Sequence, residues 1–268
     1  MRIVVCAKEV LDPDAVNNYA LEGRLVIGED GKSLTQSSIP RLMNAYDEQA
    51  IEAALRIKEA GADCTITLVC AGADVGELLK HAAALGADDI VQVDVDATTI
   101  DCHATAAILS AYIQSSGGAD LILCGRQASD DDQGVVPALV GEKLGMPVVT
   151  IARSVELVDG GSAVRVARVT PNGDEVVEAS CPAVVTISNE LGTPRYPTMA
   201  GRMAARRKKA TVVAVGDLGV SAEELRPRVT LTRQFVPTVQ GDCEFLSGDS
   251  PAALAEELLA RLRRDSVL

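Results

Sequence analysis

Over its first two thirds the chain alternates short runs of β-branched and aliphatic residues with longer stretches of helical spacing, and this constrains its fold more than any other feature. Such alternation is how a parallel sheet covered by helices on both faces is written, because parallel strands need crossovers that lie back on the sheet. Strands are predicted near residues 3–6, 64–70, 89–93, 121–124 and 148–151. Between them, residues 47–60 repeat Ala50, Ile51, Ala54, Leu55 and Ile57 at helical spacing, with Gly61 as a natural stop. Residues 75–85, ended by Gly86, repeat the pattern, and 104–113 is a further helix. The run Ala82-Ala83-Ala84 predicts a helix lying close against the sheet.

Smaller elements decorate this core. Glu29-Asp30-Gly31 within 21–34 predicts a small hairpin. A second hairpin is signalled at Asp159-Gly160-Gly161, flanked by 155–158 and 163–169, with another turn at Asn172-Gly173 and a buried strand at 184–187. The expected fold is therefore α/β, a parallel sheet with helices on both faces plus small antiparallel hairpins and a C-terminal arm. Residues 1–194 form the α/β domain, 195–209 a basic loop, and 210–268 an arm that ends in a helix at 251–264, capped by Ser250 with Pro251 in its first turn. Residues 218–248 have weak periodicity and read as needing another surface to define them.

Composition narrows the function. Hydrophobic residues make up 47% and aromatics 2%, so the core must be built from Ala, Val, Leu and Ile. A formal net charge of −13 argues against nucleic acid, whose phosphates a partner must neutralise with its own cations. Six of the 25 cations and none of the 38 carboxylates fall between residues 195 and 209, so the remainder carries −19 against +6 in that one segment. No apolar run approaches the roughly 20 residues that span a bilayer, so direct membrane insertion is not expected. The opening Met1-Arg2-Ile3-Val4-Val5-Cys6 reads as a first strand rather than a signal peptide. Seven cysteines without a CxxC pair point to a reduced, cytoplasmic protein with no disulfide framework and no zinc site.

Catalytic signatures are missing. No GxGxxG fingerprint follows a strand, and no phosphate loop of the GxxxxGK[ST] type occurs. Ser116-Gly117-Gly118 ends a helix before a strand, the wrong order for cradling phosphate. His81 and His103 have no cysteine or carboxylate constellation around them, and no nucleophile with its base can be assembled.

The informative residues cluster where open α/β sheets bind ligands, at the carboxyl ends of strands. Cys6-Ala7-Lys8 closes the first strand, Asn44-Ala45-Tyr46-Asp47 enters a helix, Cys70-Ala71-Gly72 closes the next strand, and Gly125-Arg126-Gln127-Ala128-Ser129-Asp130-Asp131-Asp132-Gln133-Gly134 follows another. A helix starting near 134–137 would aim free N–H groups at an anion. The Asp triplet opposes that if its carboxylates face the ligand, and fits equally a solvated turn capping the helix.

Taken in order with Leu85-Gly86-Ala87-Asp88, Cys181-Pro182-Ala183-Val184-Val185-Thr186 and Pro194-Arg195-Tyr196-Pro197, these motifs resemble the β subunit of electron transfer flavoproteins over residues 1 to about 220. The resemblance implies a Rossmann-like, adenine-nucleotide-binding fold. It implies an α subunit partner holding a shared, redox-active FAD, and a structural AMP in the β pocket. The implied AMP contacts are Cys6, Asn44, Ala45, Tyr46, Asp47, Cys70, Arg126, Gln127, Ala128, Ser129, Asp130, Asp131, Asp132, Gln133, Gly134, Val135, Val136 and Pro137. Tyr46 would face the flavin, although a core role fits an aromatic here as well. The basic segment would be a recognition loop for partner dehydrogenases, carried by Arg195, Tyr196, Met199, Arg202 and Met203, with Met199 as apolar anchor and the cations steering acidic partners.

The chain departs from the family pattern in places. Asn44-Ala45 replaces Asn-Pro, and Gln133-Gly134-Val135-Val136-Pro137 replaces Asn-Gln-Thr-Gly. Arg126 and Gly145-Met146-Pro147 lean toward relatives that hold a second FAD instead of AMP and bifurcate electrons, while Asp131 leans back toward the AMP type. The expected function is electron relay from acyl-CoA or related flavin dehydrogenases to a quinone oxidoreductase, a carrier subunit rather than an enzyme. The alternatives are a bifurcating subunit, which would make the complex an oxidoreductase, and a stand-alone adenine-nucleotide sensor.

Overall fold

The computed structural model describes residues 1–237 and 243–268. Contacts separate two units, Met1–Gln234 and Phe235–Leu268. The first unit runs β1 (Arg2–Ala7), β2 (Glu9–Leu11), α1 (Pro13–Leu21), β3 (Arg41–Met43), α2 (Ala45–Glu59), β4 (Thr65–Ala71), α3 (Gly76–Leu85), β5 (Asp89–Asp94), α4 (Cys102–Ser115), β6 (Leu121–Gly125), α5 (Val136–Leu144) and β7 (Val148–Val158). It continues with β8 (Ala163–Thr170), β9 (Gly173–Ser180), β10 (Ala183–Ile187), α6 (Met199–Arg207), β11 (Thr211–Ala214) and α7 (Ala222–Leu225). The second unit contains α8 (Pro251–Arg264), with Ser250 Oγ accepting the Ala253 N–H at 3.2 Å and Pro251 in the first turn.

One sheet has the order β11-β5-β4-β1-β6-β10-β7-β8-β9, parallel from β11 to β7 and antiparallel beyond. Period-two alternation sends Ile3 and Val5 to the face covered by α2 and α3, and Val4 and Cys6 to the face covered by α4 and α5. Both faces are thus buried, which is why the central strands are continuously apolar rather than alternating. After β1 the chain builds outward through β4 and β5, then returns to place β6 on the other flank of β1. The helices that follow β1 and β6 lie on opposite faces. A crevice opens between the carboxyl ends of such diverging strands.

Three expectations change. The strand at 148–151 and the hairpin arm at 155–158 are one strand, β7, which pairs first with β10 and then with β8. It bends at Ile151, whose φ is +61° and whose N–H bonds Thr186 Oγ1 at 2.9 Å. The hairpin at 21–34 reduces to a single antiparallel bridge, Ile27 to Leu34. Ahead of it lies α1, none of whose residues is buried, so no apolar stripe announced it; Asp12 caps it and Pro13 starts it.

The third change concerns the expected loop at 195–209, which contains helix α6. Thr198 Oγ1 accepts the Gly201 N–H at 3.0 Å and starts it. Its inner face consists of Gly201 and Ala205, residues too small to register as hydrophobic periodicity. Beyond it, Thr211–Ala214 adds an edge strand on β5. Of the weakly patterned stretch, residues 238–242 lie outside the described residues.

Candidate functional site

The crevice is built around the first turn of α2. Asn44, only 1% exposed, does not cap α2 with its side chain. Its Nδ2 donates to Gln127 O at 2.8 Å and its Oδ1 accepts the Ser129 N–H at 3.2 Å, so it moors the post-β6 segment to α2. Asp47 is buried, with Oδ1 accepting the Gly125 N–H at 2.9 Å and Oδ2 the Lys8 N–H at 2.8 Å. One carboxylate therefore ties the ends of β1 and β6. Burial pushes it up to about 7, against the pull of those two N–H groups.

Glycine is required at the contact. A Cβ on Gly125 would lie 2.5 Å from Asp47 Oδ1 and 2.6 Å from Tyr46 Cβ. Further along, Gly134 has φ of +60°, and a Cβ there would lie 2.7 Å from Arg126 O.

Arg126 stands at the floor. Its guanidinium lies 5.5 Å from the centre of the half-buried Tyr46 ring, Nε donates to Gln127 Oε1 at 3.0 Å, and Nη1 to Ser188 Oγ at 3.3 Å. Among the described residues it makes no ion pair. Arg126, Gln127, Asp132, Gln133, Gly134, Thr150, Ile151 and Thr186 line a cavity of ≈ 270 Å³ bordered also by Ala138 of α5. The first turn of α5 has no side-chain cap at Val135, with Val136 and the buried Pro137 following. An unpaired guanidinium and an uncapped helix N-terminus on one cavity suit an anion.

Each side chain of the Asp triplet has a partner within the chain, and of the three only Asp132 lines the cavity, where Arg126 must outweigh it for an anion to bind. Lys8 Nζ bonds Asp130 at 2.7 Å and Asp131 at 3.3 Å, and Asp132 accepts from Gln127 Nε2 at 2.8 Å. Asp131 also accepts the Gln133 N–H at 3.2 Å. Ala45 is exposed at the rim, and Ala128 is half-buried beside Ser129. Cys6 and Cys70 close β1 and β4 as buried thiols. Burial pushes Cys70 up to about 12, with the Asp47 charge adding to it, so it packs as a small apolar group.

A second candidate surface lies on α6. Tyr196 is 87% exposed, Met199 76% and Met203 58%, with the exposed Arg202, Arg206, Arg207 and Lys209 around them. Arg195 is different: its guanidinium is engaged by Glu52 (Nε, 2.7 Å) and Glu59 (Nη1, 2.5 Å), which raise its affinity for its proton. Lys208 likewise donates to Ala87 O at 2.7 Å and Asp88 O at 2.5 Å. Of Arg206, Arg207, Lys208 and Lys209, the cations expected to steer partners, Lys208 is thus directed inward, as is the expected contact residue Arg195.

Sequence reasoning did not single out Glu52, Glu59 or Ser188, nor the pairing of Lys8 with the Asp triplet. Glu52 did carry a signal, because a carboxylate amid the apolar positions of α2 needs a cation. Its partner, 143 residues away, could not be read from spacing.

The electron transfer flavoprotein domain family matches residues 33–218. A subunit of the caffeyl-CoA reductase–Etf complex, CarD, of Acetobacterium woodii is 31% identical over 273 residues, covering 100% of both chains. The electron transfer flavoprotein subunit beta of Syntrophomonas wolfei is 35% identical over 215 residues, 80% of each chain. That of Megasphaera elsdenii is 30% identical over 284 residues, again 100% of both.

Proposed function

Since the chain belongs to the electron transfer flavoprotein family and resembles its β subunits, we propose that it pairs with an α subunit and relays electrons from acyl-CoA-type flavin dehydrogenases to a quinone oxidoreductase. Its crevice holds AMP. The observation that carries the nucleotide reading is the Arg126 guanidinium, without an ion pair among the described residues, beside the uncapped first turn of α5 on one cavity. Arg126 and the α5 N–H groups would take the phosphate. Asn44 and Asp47 hold the walls, and Lys8 keeps the Asp130 and Asp131 carboxylates away from it.

The FAD shared with the α subunit supplies the redox chemistry, accepting electrons from the donor's flavin and passing them on. This chain supplies a wall through Tyr46, a docking surface through Tyr196, Met199, Arg202 and Met203, and the α8 unit, which packs on the α subunit. We expect this to take place in the cytoplasm.

A second reading places a second FAD in the crevice instead of AMP, within an acyl-CoA reductase complex. It is favoured by full-length similarity to a protein named as a subunit of such a complex and by the reach of the Arg126 cavity to Thr150 and Thr186. The test is to co-express the chain with its α partner, denature the purified heterodimer and quantify released FAD and AMP. One of each supports the carrier; two FAD and no AMP replace it with the second reading. Bound nucleotide without any stable α complex would favour a stand-alone sensor.

A further inference from the structure

From the geometry of α6 we infer that Arg195, Gly201 and Lys208 are positioning residues that hold this helix ready for docking before any partner arrives. The inference rests on the docking reading above and adds what fixes the surface in place.

A helix of nine residues is marginal on its own. This one carries Arg202 and Arg206 four residues apart, a like-charged pair that opposes helix formation, and has no acid to offset it. Its order must come from tertiary contacts, and three are present. At the entrance, Arg195 forks onto two carboxylates of α2, with Nε and Nη2 on Glu52 at 2.7 and 3.2 Å and Nη1 and Nη2 on Glu59 at 2.5 and 2.9 Å. A planar guanidinium bound this way fixes direction as well as distance. At the exit, Lys208 bonds two carbonyls in the turn between α3 and β5.

Between them, a Cβ on Gly201 would lie 2.3 Å from Ala84 O, so only glycine lets α6 rest on the last turn of α3. Ala205, four residues on, is 4% exposed against the same core. Met199 and Met203 occupy the outward side, and Arg202, Arg206, Arg207 and Lys209 of the same segment are exposed with them. The small, clamped face and the large, flexible, exposed face are divided between two roles. Ordering the backbone in advance removes an entropy cost from docking, while the methionine side chains remain adaptable.

Loss of Arg195 need not unfold the chain. Glu52 keeps Arg56, whose Nε donates to it at 2.8 Å, and Glu59 is largely exposed. The experiment uses the co-expressed heterodimer in wild-type, Arg195→Gln, Arg195→Lys, Arg202→Gln and Met199→Ala forms. Amide hydrogen exchange is followed over residues 199–207, and KM and kcat are measured for reduction by a purified short-chain acyl-CoA dehydrogenase with butyryl-CoA.

In Arg195→Gln, exchange over the helix should accelerate roughly tenfold or more and KM should rise, with kcat and released FAD unchanged. Arg195→Lys should recover only part of the protection because it cannot fork. Arg202→Gln, which removes the same charge without a clamp and relieves the repulsion from Arg206, should leave exchange unaltered or slow it slightly. Retained protection in Arg195→Gln overturns the clamp, and lost protection with an unchanged KM overturns its role in docking. An unchanged KM in Met199→Ala overturns the docking reading itself, an outcome that the exchange data alone would not produce.

Discussion

The carboxylate of Asp47 accepts the backbone N–H of Gly125 at 2.9 Å, joining the first turn of α2 to the last residue of β6. Its other oxygen takes the N–H of Lys8, after β1. The strands bridged are the two whose connections diverge, so the group that braces the switch point also shapes the crevice.

This carboxyl should make stability depend on pH near neutrality. Its folded value is about 7 against 3.8 for the unfolded chain, so the folded state holds more protons between these limits. The associated stability is fully present below about pH 4 and is lost as pH rises to about 7, a fall of a few kcal/mol at most. Glu52 and Asp88, both held below the usual carboxylate range, act in the opposite direction only at lower pH. Urea denaturation of the chain between pH 5.5 and 8 should show the decline. Asp47→Asn should flatten it while costing about 1–3 kcal/mol throughout, since an amide has one acceptor for two N–H donors.

Gly125→Ala should be severe for so small a change. The added methyl meets Asp47 and Tyr46 inside van der Waals contact. We expect a loss of about 1–3 kcal/mol from overpacking, seen as a lowered melting temperature, together with a heterodimer that retains less nucleotide.

Arg126→Gln should separate binding from folding. Among the described residues the guanidinium makes no ion pair, and the nearby Glu190 carboxylate keeps its bond from Ser188, so melting of the nucleotide-free chain should shift little, by about 1 kcal/mol or less. The nucleotide released from the denatured heterodimer should drop well below one equivalent. Full retention would remove Arg126 as the phosphate group's partner.

Met199→Ala and Met203→Ala each remove an exposed side chain. Thermal stability and flavin content should stay at wild-type values, while transfer from the dehydrogenase slows about fivefold or more for the anchor, in keeping with a docking residue worth over 1 kcal/mol. If Met203 shows the larger effect, the anchor is the second methionine rather than the first.

Much of the architecture was legible because its physics is local. Ala50, Ile51, Ala54, Leu55 and Ile57 announce α2, and the continuously apolar β1 and β6 announce buried parallel strands. The candidate crevice was legible as well, since strand ends followed by Lys8, Asn44 to Asp47 and Arg126 to Gly134 have a known relation to a parallel sheet. Helix α6 was not, because its buried face is glycine and alanine. Nor was the continuity of β7, whose bend at Ile151 depends on a hydroxyl from β10.

The sequence by itself determined the fold class, the family and the sign of the charge on the segment after β10, all of which follow from periodicity, ordered motifs and composition. Only the tertiary structure decided which charges are used. Arg195 and Lys208 are clamps while Arg202 is exposed, and Asp130 and Asp131 pair with Lys8. The reason is that an ion pair or hydrogen bond is set by distance in space, and partners such as Arg195 and Glu52 are brought together by the packing of α2 against its neighbours, which no local pattern records.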